Sequence, residues 1–180
     1  MDCIKVHDKT FVPFIDNAQI SKAIDKVAEK INHDYANCDS APILVCVLNG
    51  SVVFTGELMQ RLNFPCELTC LRIKSYVGTQ STGVTKQVLG LNRDITGKQI
   101  IVIEDIVDTG HTIEFLHNTL LSLGASDVKI CTLLLKPEVY DRDIKLDYVA
   151  MEIPNRFILG FGLDYDELGR NSKDIYVLQD

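Results

Sequence analysis

"QIIVIEDIVDTGHT", residues 99–112, opens as an unbroken apolar run and closes on three carboxylates followed by a turn of small residues. An apolar run without alternation reads as a strand buried on both faces, the kind found in parallel sheets covered by helices. The predicted strand is 99–105, "QIIVIED", which sets Glu104 and Asp105 at its C-terminal end. Beyond Asp108 and the small-residue turn, "TIEFLHNTLLSLG" (112–124) has helical spacing. Ile113, Leu116, Leu120 and Leu123 point inward, and Gly124 stops the helix.

The same alternation of strand and helix repeats outward from this stretch. "PILVCVL" (42–48) reads as a buried strand, and "VVFTGELMQRL" (52–62) as a helix with Phe54, Leu58 and Leu62 on one side. "ELTCLRIKSY" (67–76), "VKICTLLLK" (128–136), "DYVAMEI" (147–153) and "KDIYVL" (173–178) read as further strands. "AQISKAIDKVAEKIN" (18–32) reads as a helix with Ile20, Ile24, Val27 and Ile31 on one face, capped by Asp16 or Asn17. "VGTQSTGVTKQ" (77–87) is polar, with two glycines and no apolar period, and is expected to be a mobile surface loop. Strands and helices in this order predict an α/β fold, a parallel sheet wrapped by helices. Ligands of such folds bind beyond the carboxyl ends of the strands, where the strand order reverses.

The 180 residues suit one domain, and no repeat or linker divides them. The 25 acidic against 18 basic residues, a formal charge of −7, argue against a nucleic-acid-binding face. No run approaches the ~18 apolar residues of a membrane span. The charged N-terminus does not read as a secretory leader. The six cysteines form no CxxC pair and no zinc spacing with histidine, which reads as reduced thiols in a cytoplasmic protein.

The tail "DTGHT" passes from a strand end into a helix. There a small-residue turn presents backbone N–H groups and the positive end of the helix dipole, with Thr109 and Thr112 adding hydroxyls and Gly110 allowing close approach. It reads as a phosphate cradle without a Walker lysine, although Thr and Gly are also ordinary capping residues. Glu104, Asp105 and Asp108 beside it would repel a bare phosphate, so the ligand must also bring hydroxyls, a metal ion or developing positive charge. A ribose 5-phosphate whose C1 becomes oxocarbenium-like meets that requirement. An acidic surface turn is the bland reading of the same residues.

The stretch "VIEDIVDTGHT" (102–112) closely resembles the phosphoribosyl pyrophosphate motif of type I phosphoribosyltransferases. The wider chain is similar to the hypoxanthine-guanine branch of that family through "VLNGSVVFTGEL" (47–58), "IKSYVGTQSTG" (73–83), "LLLKP" (133–137) and "EIPNRFILGFGLDYDELGRN" (152–171), in order and spacing. The resemblance implies a core parallel sheet over about 40–135 and a small hood from about 1–39 and 137–180. It implies transfer of a phosphoribosyl group from phosphoribosyl pyrophosphate to a 6-oxopurine with Mg2+, in a homodimer or homotetramer.

The resemblance also carries roles. Glu104 and Asp105 hold the ribose hydroxyls, and Asp108, Thr109, Gly110, His111 and Thr112 hold the 5-phosphate, with Asp108 as general base near N7 of the purine. Lys136 donates to O6, Phe157 stacks on the base, and the backbone of Ile158 reads the ring edge. Asp164 lies at the purine and serves a second metal, so that Glu104, Asp105 and Asp164 are the implied metal carboxylates. Asn49, Gly50, Ser75, Tyr76 and Arg170 are implied to bind pyrophosphate, with a cis peptide at Leu48–Asn49 and residues from Ser75 onward closing over the site. Without the resemblance, Lys136 reads as a solvated strand end, Phe157 as a core aromatic, and Asp164 and Arg170 as surface charges.

Three positions depart from the family pattern. Asn49 stands where some relatives carry lysine or arginine, His111 where lysine is common, and Asn155-Arg156 where Asp-Lys is frequent. The last leaves the choice among hypoxanthine, guanine and xanthine open. Three other readings compete with it: an RNA-binding regulator, which would need a basic face that a charge of −7 disfavours; an enzyme for another base, against Lys136 and "IPNRF"; and a doubly wound domain with a regulatory aspartate, which leaves "DTGHT", Lys136 and Arg170 unrelated.

Overall fold

The computed structural model describes residues 2–77 and 84–179, with the side chains of 74–77 and 84–89 outside that description. Ten strands and three helices follow one another as β1 (Ile4–Val6), β2 (Lys9–Ile15), α1 (Asn17–Asp34), β3 (Ile43–Val47), α2 (Val52–Met59), β4 (Glu67–Val77), β5 (Val84–Leu89), β6 (Gln99–Val107), α3 (His111–Ser122), β7 (Asp127–Leu135), β8 (Tyr148–Glu152), β9 (Ile158–Leu159) and β10 (Ile175–Leu178), counted over the described residues.

The larger sheet has the order β5-β4-β3-β6-β7-β8. The five strands from β4 to β8 are parallel, and only β5 runs antiparallel, against β4. From β3 the chain first builds outward through β4 and β5, then crosses back to lay β6 on the other side of β3. The strand order therefore reverses between β3 and β6, the crevice where a ligand is expected. The unbroken apolar runs have their reason in the packing. Leu44, Ile101, Ile103, Cys131 and Leu133 pack on the face carrying α1 and α2, while Ile43, Val45, Ile100, Val102 and Ile130 pack on the face carrying α3. Helix α1 starts at Asp16, whose side chain accepts from the Gln19 amide while the Gln19 side chain accepts from the Asp16 amide.

Several expectations change. The loop expected over 77–87 is shorter, because β5 begins at Val84; as an edge strand held by backbone pairing to β4, it needs no apolar period. The central strand runs on to Val107, so Glu104 and Asp105 lie within β6, with Glu104 paired in register with Thr132. Helix α2 ends at Met59, short of Leu62. Leu123 is exposed rather than inward, because it is the cap residue of α3 and Gly124 turns the chain there with φ +93°. The larger sheet passes the expected limit at residue 135 to include β8, against which α1 packs.

The smaller sheet, β1-β2-β10-β9, joins the N-terminal hairpin to the C-terminal strand. Its N-terminal strands escaped the sequence reading because Pro13 interrupts the β pattern, and the β2–β10 register indeed shifts beside it. Among the described residues no helix is long and apolar enough to cross a membrane.

Candidate active site

Strand β3 ends at Val47 and the chain turns through Leu48–Asn49, a cis peptide, to Gly50. Gly50 is required by close approach: a Cβ there would lie 1.6 Å from Asp105 Oδ2. The β3 loop thus rests on the carboxylate of β6, which closes the switch-point crevice from one side. Asn49 Oδ1 accepts a bond of 2.6 Å from Arg72 Nη2 on β4, a cation at the crevice rim that no spacing in the sequence singled out.

Glu104 and Asp105 are consecutive, so their side chains leave opposite faces of β6. Glu104 is buried, and burial, with Asp105 and Cys46 nearby, holds its carboxyl well above the usual carboxylate range. Burial likewise pushes Asp105 up to about 6, although its Oδ1 accepts from the Ile106 amide at 2.9 Å and Arg170 pulls in the opposite direction. Such carboxyls want hydroxyl donors or a cation, and either would restore the charged form.

The turn after β6 has the shape of an anion cradle. Gly110 adopts φ +84° and precedes α3, which no side chain caps, so its first amides face outward. Glu104, Ile106 and residues 107–113 line a nook of about 110 Å3 here. The far side of the turn is braced: a Cβ on Gly110 would lie 2.5 Å from Tyr140 Cε2 and 2.8 Å from Arg142 Cγ. Arg142 Nη2 also comes within 2.6 Å of His111 Nδ1. Neither Tyr140 nor Arg142 is marked by any motif, since both arrive from the connection after β7.

A second nook, of about 200 Å3, is lined by Ile106, Asp108, Lys136, Arg156, Phe157, Ile158, Leu163 and Asp164. It shares Asp108 and Ile106 with the first. Lys136, nearly buried at the end of β7, donates from Nζ to Asp108 Oδ2 at 3.2 Å. Phe157 is 45% exposed, and its ring lies beside Phe11 and edge-on to Tyr165, with centroids 6.1 and 5.8 Å away. The aromatic predicted to face a base is therefore held by the N-terminal hairpin.

Asp164 is spoken for on both oxygens, with Arg170 Nη2 at 2.8 Å from Oδ1 and the Glu167 amide donating to Oδ2 at 2.8 Å. Arg170 Nη1 donates to Gly162 O, and both charges are close enough to bias Asp105. Among the described residues no three His, Cys, Asp or Glu side chains converge to hold a metal by themselves. Glu104, Asp105 and Asp164 therefore do not form a closed cage. The backbones of Ser75 and Tyr76 belong to β4; their side chains and the remainder of the expected covering loop, residues 78–83, lie outside the described residues. Two larger cavities, of about 440 and 610 Å3, flank the C-terminal half of α1, away from the carboxyl ends of the strands.

A cradle of outward-facing amides and a slot that combines an aromatic ring with charged groups, meeting at one carboxylate, suit a ligand in which a sugar joins a phosphate to a flat base. Residues 14–166 fit the phosphoribosyl transferase domain, and the chain belongs to that family. Among its relatives, a protein of Streptococcus thermophilus named hypoxanthine-guanine phosphoribosyltransferase is 42% identical over 156 residues, 86% of each chain. One of the same name from Mycobacterium tuberculosis is 35% identical over 165 residues, 89% of this chain and 82% of that one. A solved hypoxanthine phosphoribosyltransferase from Staphylococcus aureus superposes with a TM-score of 0.84 at 32% identity, covering 93% and 90% of the two chains.

Proposed function

We propose that this protein transfers the 5-phosphoribosyl group of phosphoribosyl pyrophosphate to hypoxanthine and guanine, forming IMP or GMP and pyrophosphate in purine salvage. The observation that carries this reading is the meeting of the two nooks at Asp108, with Lys136 Nζ 3.2 Å from its carboxylate. Relatives bearing the name of that activity support the choice of base.

In this reading the amides of 109–112 and the N-terminus of α3 hold the 5-phosphate. The ribose hydroxyls donate to Glu104 and Asp105. The C1–O bond to pyrophosphate breaks as a bond from the purine nitrogen to C1 forms; pyrophosphate leaves with the electron pair, and the proton carried at N7 passes to Asp108. Lys136 donates to O6 while its ion pair holds Asp108 in place. An ammonium can only donate, and the 6-amino group of adenine would leave it unmatched. Phe157 stacks on the ring, and Gly50, Asn49 and Arg170 face the pyrophosphate. Asp164 would exchange its bond to Arg170 for the substrate side.

Mg2+ fits the donor set as a cation that keeps waters and substrate oxygens and takes only one or two carboxylates. When bound it neutralises charge on the leaving pyrophosphate; Asp105 and Asp164 would hold it, with Glu104 behind. The six cysteines are all free thiols, which suits a reducing cytoplasm. Assembly as a homodimer or homotetramer rests on the family resemblance and is read out by light scattering. The test of the activity is incubation with phosphoribosyl pyrophosphate, Mg2+ and each purine in turn. Nucleotide from hypoxanthine and guanine but not adenine is expected, and no nucleotide from either oxopurine would overturn the reading.

A further inference from the structure

We propose that Tyr165 is a positioning residue of the base slot: it sets the ring of Phe157 before the purine arrives, and the tip of the N-terminal hairpin in turn holds Tyr165. The inference rests on the base site just described and concerns a side chain outside the lining of that nook. Phe157 has a fixed backbone and a ring that its own chain does not fix. Its carbonyl accepts from the Leu178 amide at 2.9 Å, which ties the main chain to β10. The half-buried side chain still turns about two bonds unless neighbours stop it. One neighbour is Phe11, wholly buried in the cluster with Leu159 and Tyr176. The other is Tyr165, whose ring stands at 85° to that of Phe157 with centroids 5.8 Å apart, the edge-to-face arrangement that aromatic pairs prefer.

Three consecutive hairpin residues clasp Tyr165. Its hydroxyl donates to Asp8 Oδ1 at 2.8 Å, the His7 ring stands edge-on at 5.7 Å, and Lys9 Nζ lies 5.3 Å from the ring centroid. The turn that carries Asp164 closes on its own backbone, with Tyr165 N donating to Leu168 O at 2.9 Å and Leu168 N to Tyr165 O at 3.2 Å. The Tyr165 ring is therefore not what shapes that turn; it faces the hairpin and Phe157. A ring held in advance spares the purine the cost of ordering it, so the effect falls on base affinity. The chemistry is untouched, because Asp108 and Lys136 pair with each other on other segments. Stacking is blind to the substituent at position 2, so hypoxanthine and guanine respond alike.

The experiment is a double-mutant cycle over wild type, Tyr165→Ala, Phe157→Ala and the double variant, measuring kcat and KM for hypoxanthine, guanine and phosphoribosyl pyrophosphate. Tyr165→Ala should raise KM for both bases about threefold to tenfold, the range of an edge-to-face ring pair. Its kcat and its KM for phosphoribosyl pyrophosphate should stay within about twofold. In the Phe157→Ala background the same substitution should move base KM by less than about twofold, because the ring it positions is gone. Tyr165→Leu keeps apolar volume without a ring edge; it should repeat the pattern, and it carries the test if the alanine variant does not fold. An unchanged base KM, or an equal rise in both backgrounds, overturns the inference. A parallel rise in KM for both substrates, a fall in kcat, or failure of both variants to fold makes Tyr165 structural and also overturns it. If wild type converts neither oxopurine, the base assignment itself falls and this role falls with it.

Discussion

Replacing Asp105 with asparagine should make the protein more stable and nearly inactive, and the gain should appear only above mildly acidic pH. Burial raises the Asp105 carboxyl from its ordinary 3.8 to about 6. At about 1.36 kcal/mol per pH unit, the folded chain carries a cost of about 3 kcal/mol for ionising it. Well below pH 4 the group is protonated in the folded and unfolded chains alike, and the cost vanishes. As pH rises the unfolded chain ionises first, so the cost grows and is complete once pH passes about 6. Asparagine never ionises, and its Oδ1 can keep the 2.9 Å bond from the Ile106 amide. Asp105→Asn should therefore lie close to wild type near pH 4 and exceed it by up to about 3 kcal/mol at neutral pH, about 6–12 °C in Tm for a chain of this size. Thermal or urea unfolding of both proteins at the two pH values reads this directly. A stability difference that is zero at neutral pH, or the same at both, would show that Asp105 is not burdened by its setting. Loss of turnover in the stabilised variant would mark the cost as one retained for function.

The same carboxyl ties ligand binding to pH. If ribose hydroxyls or Mg2+ require the charged form of Asp105, phosphoribosyl pyrophosphate should bind more tightly as pH rises through about 6, releasing a proton on binding below that value; calorimetry in buffers of different ionisation enthalpy measures both. Asp108→Asn should lower kcat by about 10²–10⁴ with little change in base KM, as expected for a general base, and an unchanged kcat would remove Asp108 from that role. Lys136→Ala should erode the preference for hypoxanthine over adenine in a competition assay, while retained selectivity would move O6 recognition elsewhere. Gly110→Ala forces a Cβ onto a φ of +84° and into Tyr140 and Arg142, so steady-state kinetics should give a raised KM for phosphoribosyl pyrophosphate with base KM nearly unchanged.

Periodicity alone located most of the core. Burial on both faces leaves Ile43–Val47 and the first half of β6, residues 100–103, no polar position, and that signal survives without tertiary context. Helix α3 ended where Gly124 said it would, because a left-handed residue can be recognised locally. Elements without an unbroken apolar run were harder to read. Strand β5 is held by backbone bonds on one side, and β2 tolerates Pro13, so neither had to write its pairing into its side chains.

The order of residues alone marks the carboxylates along β6 and the small-residue turn that follows them, because their spacing follows from one strand and one helix. The tertiary structure decided their company. That Gly50 presses on Asp105, that Lys136 reaches Asp108, and that Tyr140 and Arg142 close behind Gly110 are contacts between segments far apart in the chain. Burial, which raises Glu104 and Asp105 and gives their charge its cost, is likewise a property of the assembled sheet, since desolvation depends on everything packed around a group and not on its neighbours in sequence.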